Sequence, residues 1–409
     1  MRILHVIPSL AWERGGPSAV VRALTRYQSE DGHRVSVLTT DQGVRHGQKP
    51  IDLGPAVSVH RLNVVGPDRI AYAPGFARTL RTELQEADVV HVHSIFTNPV
   101  HVALREARQL GIPSILRPCG QLHRYSLQRS SWKKWIYLKL WGRMVKNACR
   151  AWHYTSENEA AHSWPWKPSA SFVLANGIEP DEYEVDRSEA KALVAKKWPE
   201  LGESPYVVFL GRVHPKKRLD LLIDAFLAGA PRKTKLVVAG PDEGGLWGKL
   251  SASRLHSSPA KERVVRIGTV TGQDKACLLA GASLFALPSE HENFGIAALE
   301  ALAVGTPFLL SPYVDLLSDA ASADGIGYTA PLQLELWRDK LSVLLEDTAA
   351  LEAQAERARE WARDNYSWSH LARELTRRYE WVIAGCPANG VSETAGAKKC
   401  AVNAGSSTR

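Results

Sequence analysis

The sequence predicts an α/β protein built from two doubly wound, mostly parallel sheets. Three observations carry this. Short apolar runs recur along the chain with helical patterns between them, the alternation expected of βαβ units. Several of these runs end in loops rich in Gly, Pro and polar residues, where such sheets keep their ligand loops. The 409 residues leave room for two domains, each with its own core.

Residues 3–7 read as the first buried strand. The segment Trp12-Glu13-Arg14-Gly15-Gly16-Pro17-Ser18 follows, leading into an amphipathic helix over about 18–28. Gly15-Gly16 allows close backbone approach to a ligand, and Pro17 suits a first helical turn. The segment is neither GxGxxG nor a P-loop, and on local grounds a plain tight turn fits as well as a ligand loop. Further strands are predicted at 34–38, 57–61, 89–93, 114–117, 151–154 and 172–174, with helices at 75–86 and 100–110. His91 and His93 share one face of a strand; with no third ligand visible, no metal is expected there. His93, at the strand's C-terminal end, is a candidate cleft residue.

Residues 123–150 hold eight Lys/Arg interleaved with Trp132, Trp135, Ile136, Leu140, Trp141 and Val145. This helix is expected to pack its Trp stripe on the core, to lie on an anionic membrane surface, or to do some of both. Lys-Trp interleaving also suits single-stranded nucleic acid, but no nucleic-acid module accompanies it, so none is expected as a partner.

Ala175-Asn176-Gly177-Ile178 closes the first domain, placed at 1–180. A linker at 181–204 contains a charged helix with Ser188 as its expected N-cap. The second domain, 205–365, opens with an apolar strand, the basic loop Gly211-Arg212-Val213-His214-Pro215-Lys216-Lys217-Arg218 and a helix. Strands at 235–239 and 264–267 precede a helix at 273–281. Then come a buried strand at 284–287 and the loop Ser289-Glu290-His291-Glu292-Asn293. A helix follows from Phe294 or Gly295 through Glu300 to Val304, stopped by Gly305-Thr306-Pro307. Its first free amides, near Asn293, Phe294 and Gly295, make an anion site. Glu292 cannot serve the anion; it is placed to accept hydrogen bonds from hydroxyls. Two solvated glutamates on a capped strand-loop-helix would give the same spacing. Residues 332–361 read as helical, 366–384 as a terminal helix, and the polar 385–409 as a disordered tail.

Charge is uneven. Residues 1–150 hold 22 Lys/Arg against 10 Asp/Glu, while the remainder holds 29 against 33. From Ala107 to Arg150 there is no acidic residue, so the first domain wants an anionic partner. The five cysteines show no CxxC pairing, no window spans a membrane, and MRILHVIPSL is too short and strand-like for a signal peptide. A cytoplasmic protein with reduced thiols is expected, with a peripheral place on the inner membrane face if 123–150 binds lipid.

The Glu292-x7-Glu300 spacing, with Pro288-Ser289 before it, Phe294-Gly295 within it and Gly305-Thr306-Pro307 after it, resembles the EX7E signature of retaining family 4 glycosyltransferases of bacterial polysaccharide and lipopolysaccharide synthesis. The resemblance covers about residues 1–383 and is more specific in the second domain. It implies the GT-B fold, two Rossmann-like domains facing across a cleft. It implies Glu292 on the donor sugar, Glu300 on the nucleotide ribose and the Asn293, Phe294 and Gly295 amides on sugar and diphosphate. Gly211-Arg212 with Lys217 resembles the family's GRxxxxKG diphosphate clamp, with Arg218 in place of the usual Gly. Gly16 would reach the diphosphate and Ile267 the base. The Arg117-Pro118-Cys119-Gly120 loop departs from the family's His-Gly or Arg-Gly, with Cys119 in the variant position and His123 or the Arg117 side chain as candidate substitutes. The implied activity moves a sugar from a nucleotide-sugar donor to a glycan or lipid-linked acceptor by front-face attack, with Arg212 and Lys217 taking a metal's part and no cofactor. A sugar-nucleotide epimerase, a phosphorylase or a non-catalytic nucleotide-sugar or membrane-surface binding module on the same fold are the alternatives.

Overall fold

The computed structural model describes residues 1–11, 16–44, 50–128, 131–165, 168–242, 244–315 and 325–386. The Trp12–Gly15 part of the first glycine loop, and the expected tail beyond Cys386, lie outside them.

The first half alternates strands and helices in chain order. It begins with β1 (Arg2–Ser9), α1 (Gly16–Glu30), β2 (Arg34–Thr40), β3 (Ser58–Leu62) and α2 (Phe76–Glu86). Next come β4 (Val89–His93), α3 (Asn98–Leu110), β5 (Ser114–Arg117), α4 (Arg124–Gln128) and α5 (Ser131–Ala148). It closes with β6 (Ala151–Tyr154), α6 (Glu157–His162) and β7 (Ser171–Val173). The strands form one sheet in the order β3-β2-β1-β4-β5-β6-β7, every described pair parallel. Central strands such as β4 (Val-Val-His-Val-His) are buried along their whole length, because helices cover both faces of a parallel sheet.

The second half repeats the plan with α7 (Arg187–Lys197), β8 (Tyr206–Leu210), α8 (Leu219–Gly229), β9 (Lys235–Ala239) and α9 (Leu246–Leu250). It continues through β10 (Val264–Gly268), α10 (Gly272–Gly281), β11 (Leu284–Leu287), α11 (Ile296–Ala303), β12 (Phe308–Leu310) and β13 (Gly327–Thr329). Its parallel sheet runs β10-β9-β8-β11-β12-β13. Strand order reverses between β1 and β4 in one sheet and between β8 and β11 in the other. Loops leaving a parallel sheet on opposite faces at such a reversal part to form a crevice, so each sheet carries one ready-made ligand site.

Three helices, α12 (Leu334–Glu346), α13 (Thr348–Ala353) and α14 (Ala355–Tyr366), replace the single helical stretch expected at 332–361. Asp347 interrupts it by capping α13 with its own carboxylate on the Ala350 amide. The last helix, α15 (Trp368–Ile383), returns to the first half. Trp368, Leu371, Leu375 and Tyr379 pack there with Ile3, Val20, Leu24 and Val89. The expected linker is partly core: Tyr183, Ala190, Val194 and Leu201 join the second half's cluster. Its helix begins at Arg187, because Asp186, not Ser188, caps it by accepting from the Ser188 and Glu189 amides. Among the described residues no helix is long and apolar enough to cross a membrane.

Candidate donor site at the second sheet

Two loops leave the β8/β11 reversal and meet. The loop after β8 brings Lys216 and Lys217; the loop after β11 brings Ser289 to Gly295. The Glu290 amide donates to the Lys216 carbonyl at 2.7 Å and the Glu292 amide to the Tyr313 carbonyl at 2.9 Å, which fixes the second loop against its neighbours. Glu292 Oε1 lies 2.7 Å from Lys217 Nζ and 3.3 Å from Lys216 Nζ, and accepts from the Ser289 hydroxyl at 3.0 Å. Burial alone would raise the Glu292 carboxyl, but Lys217, Lys216 and the Ser289 hydroxyl outweigh it and hold the group at about 2. Burial lowers the Lys217 ammonium even though Glu292 pulls the other way. The carboxylate describes the pair better, since two ammonium groups and a hydroxyl converge on it. A carboxylate so acidic is too weak a base to take a proton from an alcohol at neutral pH; it can accept hydrogen bonds and hold charge.

Among the described residues, no acceptor meets the amides of Asn293, Phe294 and Gly295, which lead into the α11 N-terminus. Arg212 is exposed and has no ion pair among the described residues. Arg218 stands at φ 48°, a left-handed conformation that favours glycine. Its guanidinium bonds Asp220 and lies 3.8 Å from Glu290, which helps hold that backbone. Glu300 accepts from the Tyr183 hydroxyl at 2.9 Å and Lys275 Nζ at 2.7 Å, so both its partners come from neighbouring elements. Ile267 is half-buried at the end of β10, where Arg266 stacks over Trp247. A cavity of about 320 Å³ opens beside these loops, lined by His214, Arg218, Leu246 and Glu290 among others.

The first half closes over this site. A methyl group on Gly16 would stand 3.1 Å from Ile296 Cδ1, so the start of α1 touches the start of α11. Gly120, at φ 73°, lies so near Asn293 that an added Cβ would meet the Asn293 side chain at 2.7 Å. Glu159 ties the two together: fully buried, it accepts from the Gly120 amide at 2.6 Å, from the Thr155 amide and hydroxyl at 2.8 Å each, and from Asn293 Nδ2 at 3.3 Å. Asn293 Nδ2 also donates to the Thr155 hydroxyl at 2.6 Å. Alongside, Asp315 accepts from Ser156 at 2.9 Å and Asn158 at 2.6 Å, and the Tyr125 hydroxyl donates to Glu290 at 2.8 Å. His123 stacks on His291 with centroids 4.1 Å apart, and burial, then the neighbouring imidazole, holds His291 down to about 4.

The two halves thus bring Glu292, Lys217, Asn293, Phe294, Gly295, Gly16 and His123 around one cleft. Cys119, at φ 54°, sits in the neighbouring loop with its thiol on the Arg117 carbonyl, and burial pushes that thiol up. His93 is a correction. Its imidazole is fully buried and bonded to His5 Nδ1 at 3.0 Å, so it belongs to the core and not the cleft wall. His5 also supplies the third histidine absent from the sequence pattern, with its ligand atom within 4.8 Å of those of His91 and His93. These rings are already bonded to Gln28, Tyr379 and His153, and burial, with neighbouring imidazoles and Arg117, keeps them neutral. Sequence reasoning missed Lys216, Thr155 and Glu159. Glu159 alone carried a signal: Ser156-Glu157-Asn158-Glu159 after a strand has capping-box spacing, and Ser156 does accept from the Glu159 amide.

Two parallel sheets whose ligand loops face one another across a cleft make the GT-B architecture. Solved structures agree: Anabaena HepE in complex with UDP and glucose superposes with a TM-score of 0.73 at 16% identity, covering 93% of this chain and 99% of that one. WaaG, a glycosyltransferase involved in lipopolysaccharide biosynthesis, gives 0.68 at 18% over 92% and 99%. In sequence, the model for Glycosyl transferases group 1 matches residues 191–361 and that for the Glycosyl transferase 4-like domain matches 15–177. The chain belongs to the group 1 glycosyltransferases, with a 4-like N-terminal domain. The GDP-mannose:cellobiosyl-diphosphopolyprenol alpha-mannosyltransferase of Xanthomonas campestris is 25% identical over 93% of each chain. The D-inositol 3-phosphate glycosyltransferase of Salinispora arenicola is 36% identical over 49% of this chain, a match that spans 46% of that relative.

Proposed function

We propose that this protein transfers a sugar, with retention of anomeric configuration, from a nucleotide-sugar donor to a glycan or lipid-linked acceptor in cell-surface polysaccharide synthesis. The observation that carries the reading is Glu292, held as a carboxylate by Lys216 and Lys217 directly before the amides of Asn293, Phe294 and Gly295, which meet no acceptor among the described residues. An acceptor for sugar hydroxyls and a set of donors for a diphosphate are thereby fixed side by side. The amides, Arg212 and Lys217 receive the negative charge that grows on the diphosphate as the glycosidic C–O bond breaks. The departing phosphate oxygen accepts the acceptor hydroxyl's proton, which fits a Glu292 too acidic to act as base. Glu300 holds the ribose, Ile267 the base and Gly16 the diphosphate from the opposite domain. With cations of its own at the diphosphate, the site is expected to work without a metal. The relative that uses GDP-mannose and a diphosphopolyprenol acceptor, and the structural neighbour with UDP-glucose, support a nucleotide-sugar donor.

The test is a thermal-shift series with GDP-, UDP-, ADP- and dTDP-sugars, with and without EDTA. A ligand at about 100 times its Kd stabilises by roughly 2.7 kcal/mol. One nucleotide class should raise Tm regardless of EDTA. Glu292→Gln should keep that shift yet lose on the order of 10²–10³ in turnover. Proton NMR of the product reads the anomeric outcome. No shift with any donor, or full turnover by E292Q, would overturn the reading.

A further inference from the structure

Helix α5 carries two apolar faces and buries one. Leu138, Val145 and Ala148 pack inward, and the Tyr137 hydroxyl donates to the Ile95 carbonyl at 3.1 Å, so the helix is already docked on its domain. The other apolar side chains face solvent: Trp132 is 66% exposed, Trp135 55%, Ile136 48% and Leu140 63%. At 100° per residue these four fall on one arc, and exposed Lys133, Lys139, Arg143 and Lys146 fall on the same arc. Trp164, from the loop after α6, adds to it with its ring 5.9 Å from Trp135. Of the apolar series read from the sequence, Val145 packs on the core and Trp141 lies against Tyr137 and His101, while Trp132, Trp135, Ile136 and Leu140 do not pack there.

We propose that this face of α5 docks on an anionic lipid bilayer. Charge decides the occupant. The arc has no acidic residue, and none occurs from Ala107 to Arg150, so its partner must offer apolar depth and negative charge together over an 18-residue helix. A bilayer interface does so: indole rings settle at the headgroup level while Lys and Arg reach the phosphates. No described helix can span the membrane, so the contact is peripheral. α5 follows directly on α4, whose Tyr125 reaches Glu290 across the cleft. Docking here holds the cleft mouth near the membrane surface, where a lipid-linked acceptor would present its sugar. That last consequence rests on the proposed glycosyltransfer; the docking itself does not.

The experiment is flotation of the full chain with vesicles of mixed phosphatidylglycerol and phosphatidylcholine, and with phosphatidylcholine alone, at low and high salt. The protein should float with the anionic vesicles at low salt and be released by high salt. The triple variant K133Q/K139Q/R143Q should partition roughly a hundredfold more weakly. W132S/W135S/L140S should remain in the bottom fraction. Thermal melting of both variants, with exposed positions changed, should match the parent. Failure of the parent to float, flotation equal on neutral vesicles, or flotation unaffected in both variants would overturn the proposal. So would a concentration-dependent dimer that the Trp variant abolishes without any flotation. The donor thermal shift, run on the same preparations, keeps the two readings apart: a shift without flotation sinks only the docking, and flotation without a shift sinks only the donor assignment.

Discussion

Replacing Glu292 by Gln should change stability in a way that depends on pH, and the size follows from the Lys217 contact. The Glu292 carboxyl is held at about 2 against an ordinary 4.5, and its side chain is 14% exposed. At ~1.4 kcal/mol per pKa unit the folded protein stabilises this carboxylate by about 3 kcal/mol. Because the folded value is depressed, that stability is fully present above about 4.5 and is lost as pH falls toward 2. Linkage puts the loss at pH 3 near 2 kcal/mol. Urea unfolding of the parent and E292Q at pH 6 and pH 3 measures it. The parent's advantage over E292Q should narrow by about 2 kcal/mol, while other carboxylates, common to both proteins, cancel. A gap constant within about 0.5 kcal/mol, the usual additivity error, would mean that Lys217 and Lys216 do not hold this carboxylate, and the charge arrangement proposed for the donor site would fall with it.

Glu159→Gln replaces an acceptor that serves four donors from two domains with one that accepts on a single oxygen, and should destabilise by ~1–3 kcal/mol in urea unfolding. Gly120→Ala combines a positive φ with a Cβ 2.7 Å from Asn293, and should lower the melting temperature by an amount equivalent to ~1–3 kcal/mol while raising KM for the donor. Asp315 titrates with the opposite sign to Glu292. Burial raises its carboxyl to about 6 from an ordinary 3.8, so its contribution to stability is present at acid pH and is lost as pH rises through 6. Asp315→Asn removes that titration, so the variant should gain about 2 kcal/mol on the parent between pH 4 and pH 7 in chemical unfolding.

What the sequence made legible were the features written in neighbouring residues. The apolar runs at β8 and β11, the glycine stop after α11 and the cap-like Gly295 are all local, and the structure places them within a residue or two of their expected bounds. The Glu292 loop and the basic loop after β8 could each be read alone. Their meeting could not, because it depends on the strand order β9-β8-β11, and order in a parallel sheet is set by packing across more than seventy residues of chain. His93 went astray for the same reason. A strand's C-terminal end points toward the cleft in general, but here His5 from β1 bonds it, and Tyr379 from α15 bonds its strand neighbour His91, so elements remote in sequence enclose it. The helix α5 was ambiguous on periodicity, since a stripe of Trp at helical spacing looks the same whether it packs or faces solvent. Only the exposure of Trp132 and Leu140 separates the two. Ser188 was the nearer hydroxyl to a predicted helix start, but Asp186 has the shorter reach to two amides and takes the cap.

The contacts across the cleft differ in kind from those within each half. Inside each sheet the core is continuous Val, Leu, Ile and Phe, whose burial is non-directional and hard to undo. Across the cleft, apart from the Gly16–Ile296 touch, the packing of the His291 ring against His123 and Tyr125, and the return of α15, the links are hydrogen bonds such as Tyr125 to Glu290, Thr155 and Glu159 to Asn293, and Ser156 and Asn158 to Asp315. Each contributes on the order of 1 kcal/mol net, because water satisfies the same groups when the cleft opens. A seam of this sort can open without exposing much apolar surface, as relative domain motion requires. It also couples closure to the donor site through one residue. Asn293 gives its side chain to Thr155 and Glu159 of the first half, while its own amide meets no acceptor among the described residues and is one of those proposed for the diphosphate. A donor that orders the 289–295 loop therefore orders Asn293 for Glu159, and Glu159 in turn fixes Gly120 at the opposite wall. Binding and closure then share a cause in the same few hydrogen bonds, and E159Q should weaken the response of Tm to nucleotide more than it weakens the apo fold.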